Sequence, residues 1–170
     1  SIMIEGSRIE KGVYALRDGL TSGSISMSFK DSVILGDVFG GNRHGNNSDT
    51  PNATGGISII VDNTSIGGEF AVSKGNYQRT GDVSLVVKGN SILSNVQLAN
   101  QSGSGKHLFI GNVSYDIQGG TIGSGKTEDG NNMFSLGGQN TYVTGNASFT
   151  MSGGAILNEY MSYTGAGGTN

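Results

Sequence analysis

A short phrase recurs five times in this 170-residue chain, and each copy opens on a glycine. The copies are GSISMSF, GGISIIV, GDVSLVV, GNVSYDI and GNASFTM, and they begin at Gly23, Gly55, Gly81, Gly111 and Gly145. Successive copies are separated by 32, 26, 30 and 34 residues. Internal repeats with periods of this length are typical of solenoids and other arrays, in which each unit stacks on the next.

Within each phrase, apolar residues stand two, four and six places after the glycine, and a serine stands at the third place. This alternation is the period-two pattern of a half-buried strand. Turn-forming residues follow at the eighth and ninth places. An isoleucine then recurs at the eleventh place, as Ile34, Ile66, Ile92, Ile122 and Ile156. We expect this isoleucine row to be internal, so that a charge at Ile92 or Ile122 would unfold the chain.

A further apolar residue often stands at the fifteenth place, as Val38, Phe70, Val96 and Tyr160. Each unit therefore supplies about three short strands joined by glycine-rich corners, and stacking at about 4.8 Å would place like residues above like. One phrase repeated in one orientation favours a parallel arrangement over an antiparallel sandwich. The sequence predicts an all-β fold, a parallel β-helix of about five to six rungs.

The first residues fit the same register. If Ser1 takes the serine place, Ile2 and Ile4 fall at the fourth and sixth places and Ile9 at the eleventh. We therefore expect 1–22 to form an incomplete first rung and 23–170 to form five rungs. On this interpretation the whole of 1–170 is a single β-helix segment excised from a longer protein.

Composition excludes some classes of partner. Charged residues make up 14% of the chain, the formal net charge is −3, and no basic block is present, which argues against nucleic-acid binding. No apolar run reaches membrane length, so we expect no direct membrane insertion by this segment. Cysteine is absent, which is compatible with export.

The sequence offers no catalytic set. Glycoside cleavage generally requires two carboxylates that face one groove, but Asp116 and Asp82 have no acidic equivalents in the other units. The histidines His44 and His107 lack neighbours at metal-ligand spacing. We therefore predict no catalytic residue, no metal site and no cofactor.

Polar insertions near 42–54, 100–106 and 124–132 interrupt the regular pattern. Loops that project from a rigid solenoid are common binding sites, although insertions of this kind are also tolerated without any role. The candidate binding residues are Asn42, Arg43, His44, Asn47, Lys106, Lys126, Glu128 and Asp129.

Three stretches, GDVFGG (36–41), IGNVSYDIQGGTIG (110–123) and TGNASFTMSGGAI (144–156), resemble the glycine-rich repeats of bacterial surface proteins. They are similar to the right-handed parallel β-helix passengers of autotransporter adhesins. The resemblance implies a secreted or cell-surface protein that is a stiff stalk and has no catalytic residues. It also implies adhesion through a solenoid face or protruding loops. The expected partners are a host or bacterial surface protein, a glycan, or another copy of the chain.

A second interpretation is a carbohydrate-active β-helix, such as a polysaccharide lyase, a hydrolase or a phage tailspike fragment. It requires a cleft lined by acidic, basic and aromatic side chains on one sheet. The only basic residues at outward strand places of the phrase are Lys30 and Lys88. We therefore favour the non-enzymatic interpretation.

Overall fold

A computed structural model describes residues 1–16, 23–42, 55–72, 81–98, 108–123, 133–136, 141–157 and 159–161. This part of the chain contains β-strands and no helix. The strands are β1 (Ile2–Glu5), β2 (Arg8–Ile9), β3 (Val13–Leu16), β4 (Ile25–Lys30), β5 (Val33–Ile34), β6 (Val38–Asn42), β7 (Ile57–Asp62), β8 (Ser65–Ile66), β9 (Phe70–Ala71), β10 (Val83–Lys88), β11 (Ile92–Leu93), β12 (Leu108–Ile110), β13 (Val113–Ile117), β14 (Thr121–Ile122), β15 (Met133–Ser135), β16 (Thr141–Val143), β17 (Ala147–Met151), β18 (Ala155–Ile156) and β19 (Glu159–Met161).

The strands form parallel sheets whose order follows the repeat. The first sheet has six strands in the order β1-β4-β7-β10-β13-β17, and the second has six in the order β2-β5-β8-β11-β14-β18. The third sheet has the order β3-β6-β9, and the pairs β12–β16 and β15–β19 complete the set. Because corresponding strands of successive units pair side by side and in parallel, the architecture is compatible with a parallel β-solenoid.

The register of the first sheet confirms the alignment of the phrases. Ile57 pairs with both Ile25 and Val83, and Val113 pairs with both Val83 and Ala147. In the same way Ser26, Ser58, Ser84, Ser114 and Ser148 pair in one row. At the start of the chain Ile2 pairs with Met27 and Ile4 with Phe29, which is the register predicted from the placement of Ser1.

The interior is filled by the even-numbered places of the phrase. In β7 and β10 these side chains are at most 2% exposed, and they form one apolar cluster with residues of the second and third sheets. Tyr115 in β13 joins this cluster and is 1% exposed, with its ring edge-on to Phe134 at a centroid distance of 6.0 Å. Its hydroxyl has no hydrogen-bond partner among the described residues, and burial raises the pKa of Tyr115.

The fifteenth-place row is also in register. Val38 pairs with both Val13 and Phe70, and isolated bridges at Ala71–Gln97 and Val96–Phe134 continue the row into β15. Phe134 pairs in turn with Tyr160. The fourth full unit therefore regains the apolar row at Phe134, after the insertion that precedes it.

The prediction for Ile92 is wrong. Leu93, not Ile92, pairs with Ile66 and Ile122 in the interior row, and Ile92 pairs instead with Ser65 and Thr121. Leu93 is 0% exposed, whereas Ile92 is 44% exposed. The same row keeps Ile122 at 0% exposure, as predicted for that residue.

An extra residue at one corner causes this shift. Ser91 occupies the place of Thr64, since its Oγ accepts a hydrogen bond from the amide of Thr64 at 3.2 Å. The corner between Lys88 and Ser91 therefore holds both Gly89 and Asn90, where the preceding unit holds Asn63 alone. The next corner is one residue shorter, because two residues separate Leu93 from Val96 whereas three separate Ile66 from Phe70. The shorter corner restores the register.

Buried hydroxyls join the first corners into a row. The hydroxyl of Ser32 accepts from the amide of Ser7 at 3.1 Å, and that of Thr64 accepts from the amide of Ser32 at 3.2 Å. Each hydroxyl donates in turn to a carbonyl of its own unit, as Ser32 does to Lys30 at 2.7 Å. Polar groups at these buried corners are thereby satisfied, which avoids the cost of an unpaired amide.

The predicted turn pairs do contain positive backbone φ angles. Asp31 and Asn63 have φ of 48° and 46° at the eighth place, where Gly89 has 63°. In the last two units the positive φ moves to the ninth place, at Gly120 and Gly154, both with φ of 86°. Only residues that tolerate the left-handed region are suited to these corners.

The third sheet differs from the first in its outward residues. In β6 and β9, Phe39 and Ala71 alternate with interior residues and so point away from the core, as do Gln97 and Ser135, which continue their row beyond this sheet; each of the four is at most 6% exposed. The ring of Tyr14 contacts that of Phe39 in a tilted arrangement, with a centroid distance of 5.2 Å. Because this face is buried, the solvent-exposed surface available for recognition on the long strands is that of the first sheet.

Candidate functional site

Among the predicted loop residues, Asn42 lies within the described part of the chain. It ends β6, and its backbone pairs with Leu16 beyond an irregularity in the β3–β6 register. The remaining candidates lie outside the described residues, namely Arg43, His44, Asn47, Lys106, Lys126, Glu128 and Asp129. Their use in binding stays a prediction.

Along the chain, the predicted insertions follow different described strands. Residues 43–54 come after β6 and before Gly55, which opens the next phrase, and residues 99–107 come between Leu98 and β12. Residues 124–132 come after β14 and before β15.

The first sheet presents a second candidate surface, which we call the outer face. It consists of the third-, fifth- and seventh-place side chains of the phrase, which alternate with the buried ones. Its third-place row consists of the five in-register serines, of which Ser84 is half-buried and Ser26, Ser58, Ser114 and Ser148 are exposed. Neighbouring strands of a sheet lie about 4.8 Å apart, so the row is a regular line of hydroxyls.

The seventh-place row of the outer face carries alternating charges. Lys30 pairs with both Glu5 and Asp62 in the register, and its Nζ lies 2.6 Å from Oε1 of Glu5. One unit further on, Nζ of Lys88 lies 3.2 Å from Oδ2 of Asp62. The hydrogen bond that Lys30 donates to Glu5, together with the negative charge of Glu5, raises the pKa of Lys30. The Lys30–Glu5 pair is exposed and so contributes little to stability, whereas the Lys88–Asp62 pair is half-buried. Both pairs neutralise opposite charges along the row.

Carboxylates on this surface do not meet. Asp116 pairs in register with Val86 on one side and Thr150 on the other, and its Oδ2 accepts a hydrogen bond from Nε2 of Gln118 at 2.7 Å. Asp62 has lysine on both sides. The outer face can donate and accept hydrogen bonds, and at its described third, fifth and seventh places no two carboxylates are neighbours in the register. Beside it, at the eighth place, Oδ2 of Asp31 lies 3.8 Å from Nζ of Lys30, which also contacts Glu5.

At the start of the phrase, the first-place residues form a side-chain ladder that our sequence analysis did not predict. Oδ1 of Asp82 accepts from the amide of Asn112 at 2.8 Å and from its Nδ2 at 3.1 Å. Oδ1 of Asn112 accepts from the amide of Asn146 at 2.9 Å. The backbone hydrogen bond from Asn112 is the main cause that lowers the pKa of Asp82. The signal in the sequence was an Asp or Asn at one place in three successive units.

The described residues contain neither a metal-ligand cluster nor a membrane-spanning helix. No group of three or more histidine, cysteine, aspartate or glutamate side chains in these ranges could hold a metal ion. Within the same ranges no helix has the length and apolar character needed to span a bilayer.

Comparison of the chain with models of protein families, with curated proteins and with solved structures finds no match.

Proposed function

We propose that this chain is a structural or adhesive segment of a secreted or cell-surface bacterial protein, and that it acts without catalysis. It holds a flat face and projecting loops at fixed positions for a host, matrix or bacterial surface partner. In this proposal the segment resembles the stalks of autotransporter-type adhesins, is right-handed, and has five to six rungs of three short strands.

The observation that carries the proposal is the outer face of the first sheet. Six parallel strands stack in register, and the five serines between Ser26 and Ser148 lie in one row along the stack. Each inner strand is hydrogen-bonded to the unit before it and the unit after it, which favours a stiff rod. Such a rod suits a protein that must hold a binding surface away from a cell.

Two general rules support the finer features. Connections between parallel strands of one sheet are right-handed in the great majority of proteins, which favours a right-handed coil. The unit from Ile25 to Asn42 supplies a long strand, a two-residue strand and a third strand, which is the pattern of three strands to a rung.

Binding of the immobilised chain to cells and surface molecules tests the proposal. The 170-residue chain would be coated on a surface and probed with host cells, bacterial cells, extracellular-matrix proteins and a glycan array. We expect saturable binding to at least one of them. A chain that binds none of the four classes would contradict the proposal.

Two sets of substitutions separate the face from the loops. One variant carries Ser58→Lys and Ser114→Lys, which place bulk and charge on exposed places of the outer face. The other carries Arg43→Ala and Lys106→Ala in the insertions. Both should melt within about 2 °C of the parent, because surface changes are usually within about 0.5 kcal/mol. Loss of binding in one variant alone assigns the binding surface.

The outer face gives less support to the carbohydrate-active alternative. Its basic residues Lys30 and Lys88 are each engaged with a carboxylate, Glu5 and Asp62 respectively, rather than free to hold an acidic sugar. Incubation of the chain with a panel of polysaccharides should release neither reducing ends nor unsaturated sugars. Release of either product would overturn the proposal in favour of the alternative.

A further inference from the structure

We draw no further inference here: the strongest candidate, the outer edge of the first sheet at Ala147–Met151 with its partly exposed Phe149 and Met151, carries nothing because nothing in the structure shows what covers it.

Discussion

Replacing Leu93 or Ile92 by alanine tests which of these adjacent residues packs in the core. Leu93 is 0% exposed and lies in the apolar cluster, whereas Ile92 is 44% exposed on the outside of the second sheet. Truncation of a buried leucine to alanine costs about 2–5 kcal/mol, because apolar contacts are lost and a cavity remains. Ile92 keeps much of its side chain in water, so we expect Ile92→Ala to cost less than about 1 kcal/mol.

The measurement is urea unfolding of the three proteins, followed by circular dichroism in the strand region. With a slope of about 1–3 kcal/mol per molar urea, a loss of about 3 kcal/mol lowers the midpoint by about 1–3 M. Leu93→Ala should show a shift of this size, and Ile92→Ala, which costs less than about 1 kcal/mol, a shift about one third as large or smaller. The slopes should be compared as well, because unfolding of part of a repeat array would change them.

The order of the two effects decides between the registers. If Ile92→Ala were as costly as Leu93→Ala, or more so, Ile92 would be the interior residue and the corner at Gly89 and Asn90 would not contain an extra residue. The two positions are neighbours in one short strand, so differences in unfolded-state propensity between them are small. Each variant is therefore a close control for the other.

Other predictions concern the corners and the buried polar groups. Deletion of Asn90 should shift the urea midpoint little, since it gives this corner the length that it has in the preceding unit. Deletion of Ser65, in contrast, should remove the cooperative transition. Equal losses of stability in the two variants would argue that Asn90 is not an extra residue. Tyr115→Phe should leave stability unchanged or raise it by about 1–2 kcal/mol, because the buried hydroxyl that it removes has no partner among the described residues; a clear loss of stability on urea unfolding would contradict this reasoning. Thr64→Val should cost about 1–3 kcal/mol, since the amide of Ser32 loses its acceptor; an unchanged midpoint would contradict the corner row. The pKa of Asp82 is lowered in the folded protein, so this carboxylate should contribute stability above its unfolded pKa, and that stability is lost as the pH falls through the folded pKa. Asp82→Asn should weaken the acid dependence of stability below about pH 4. An identical pH profile of stability in the two proteins would refute this prediction.

Much of the fold could be predicted from the repeated phrase, because strand alternation and unit stacking both follow from it. The register of Ile57 with Val83 is what the aligned glycines require, and that of Ile2 with Met27 is what the placement of Ser1 at the serine place requires. The shift at Leu93 could not be predicted in the same way. Ile92 and Leu93 are both apolar, and Gly89-Asn90 is similar in composition to the other turn pairs. The hydrogen bond from the amide of Thr64 to Oγ of Ser91 aligns these two residues, and this alignment places Leu93 rather than Ile92 in the interior.

The candidate site was less predictable than the fold. The loop candidates such as Arg43 and Lys126 lie in segments without periodicity, so the repeat makes no prediction of where their side chains lie. The serine row of the outer face was visible in the sequence as a constant third place. The ladder from Asp82 to Asn146 depends on side chains that bond to the next backbone, a contact that alternation alone does not predict.

The row of corner hydroxyls gives the stack a polarity. In each contact the amide of one unit is completed by the hydroxyl of the unit that follows it in the chain, from Ser7 to Ser32, from Ser32 to Thr64 and from Thr64 to Ser91. Removing a following unit leaves the amide at a corner, such as that of Ser32, without its side-chain acceptor. Removing a preceding unit instead leaves the amide of the next residue, such as that of Ser65, without the carbonyl of Ser32. The hydroxyl contacts all point one way along the stack, so the corners at Ser7, Ser32 and Thr64 are completed only by chain that is synthesised after them.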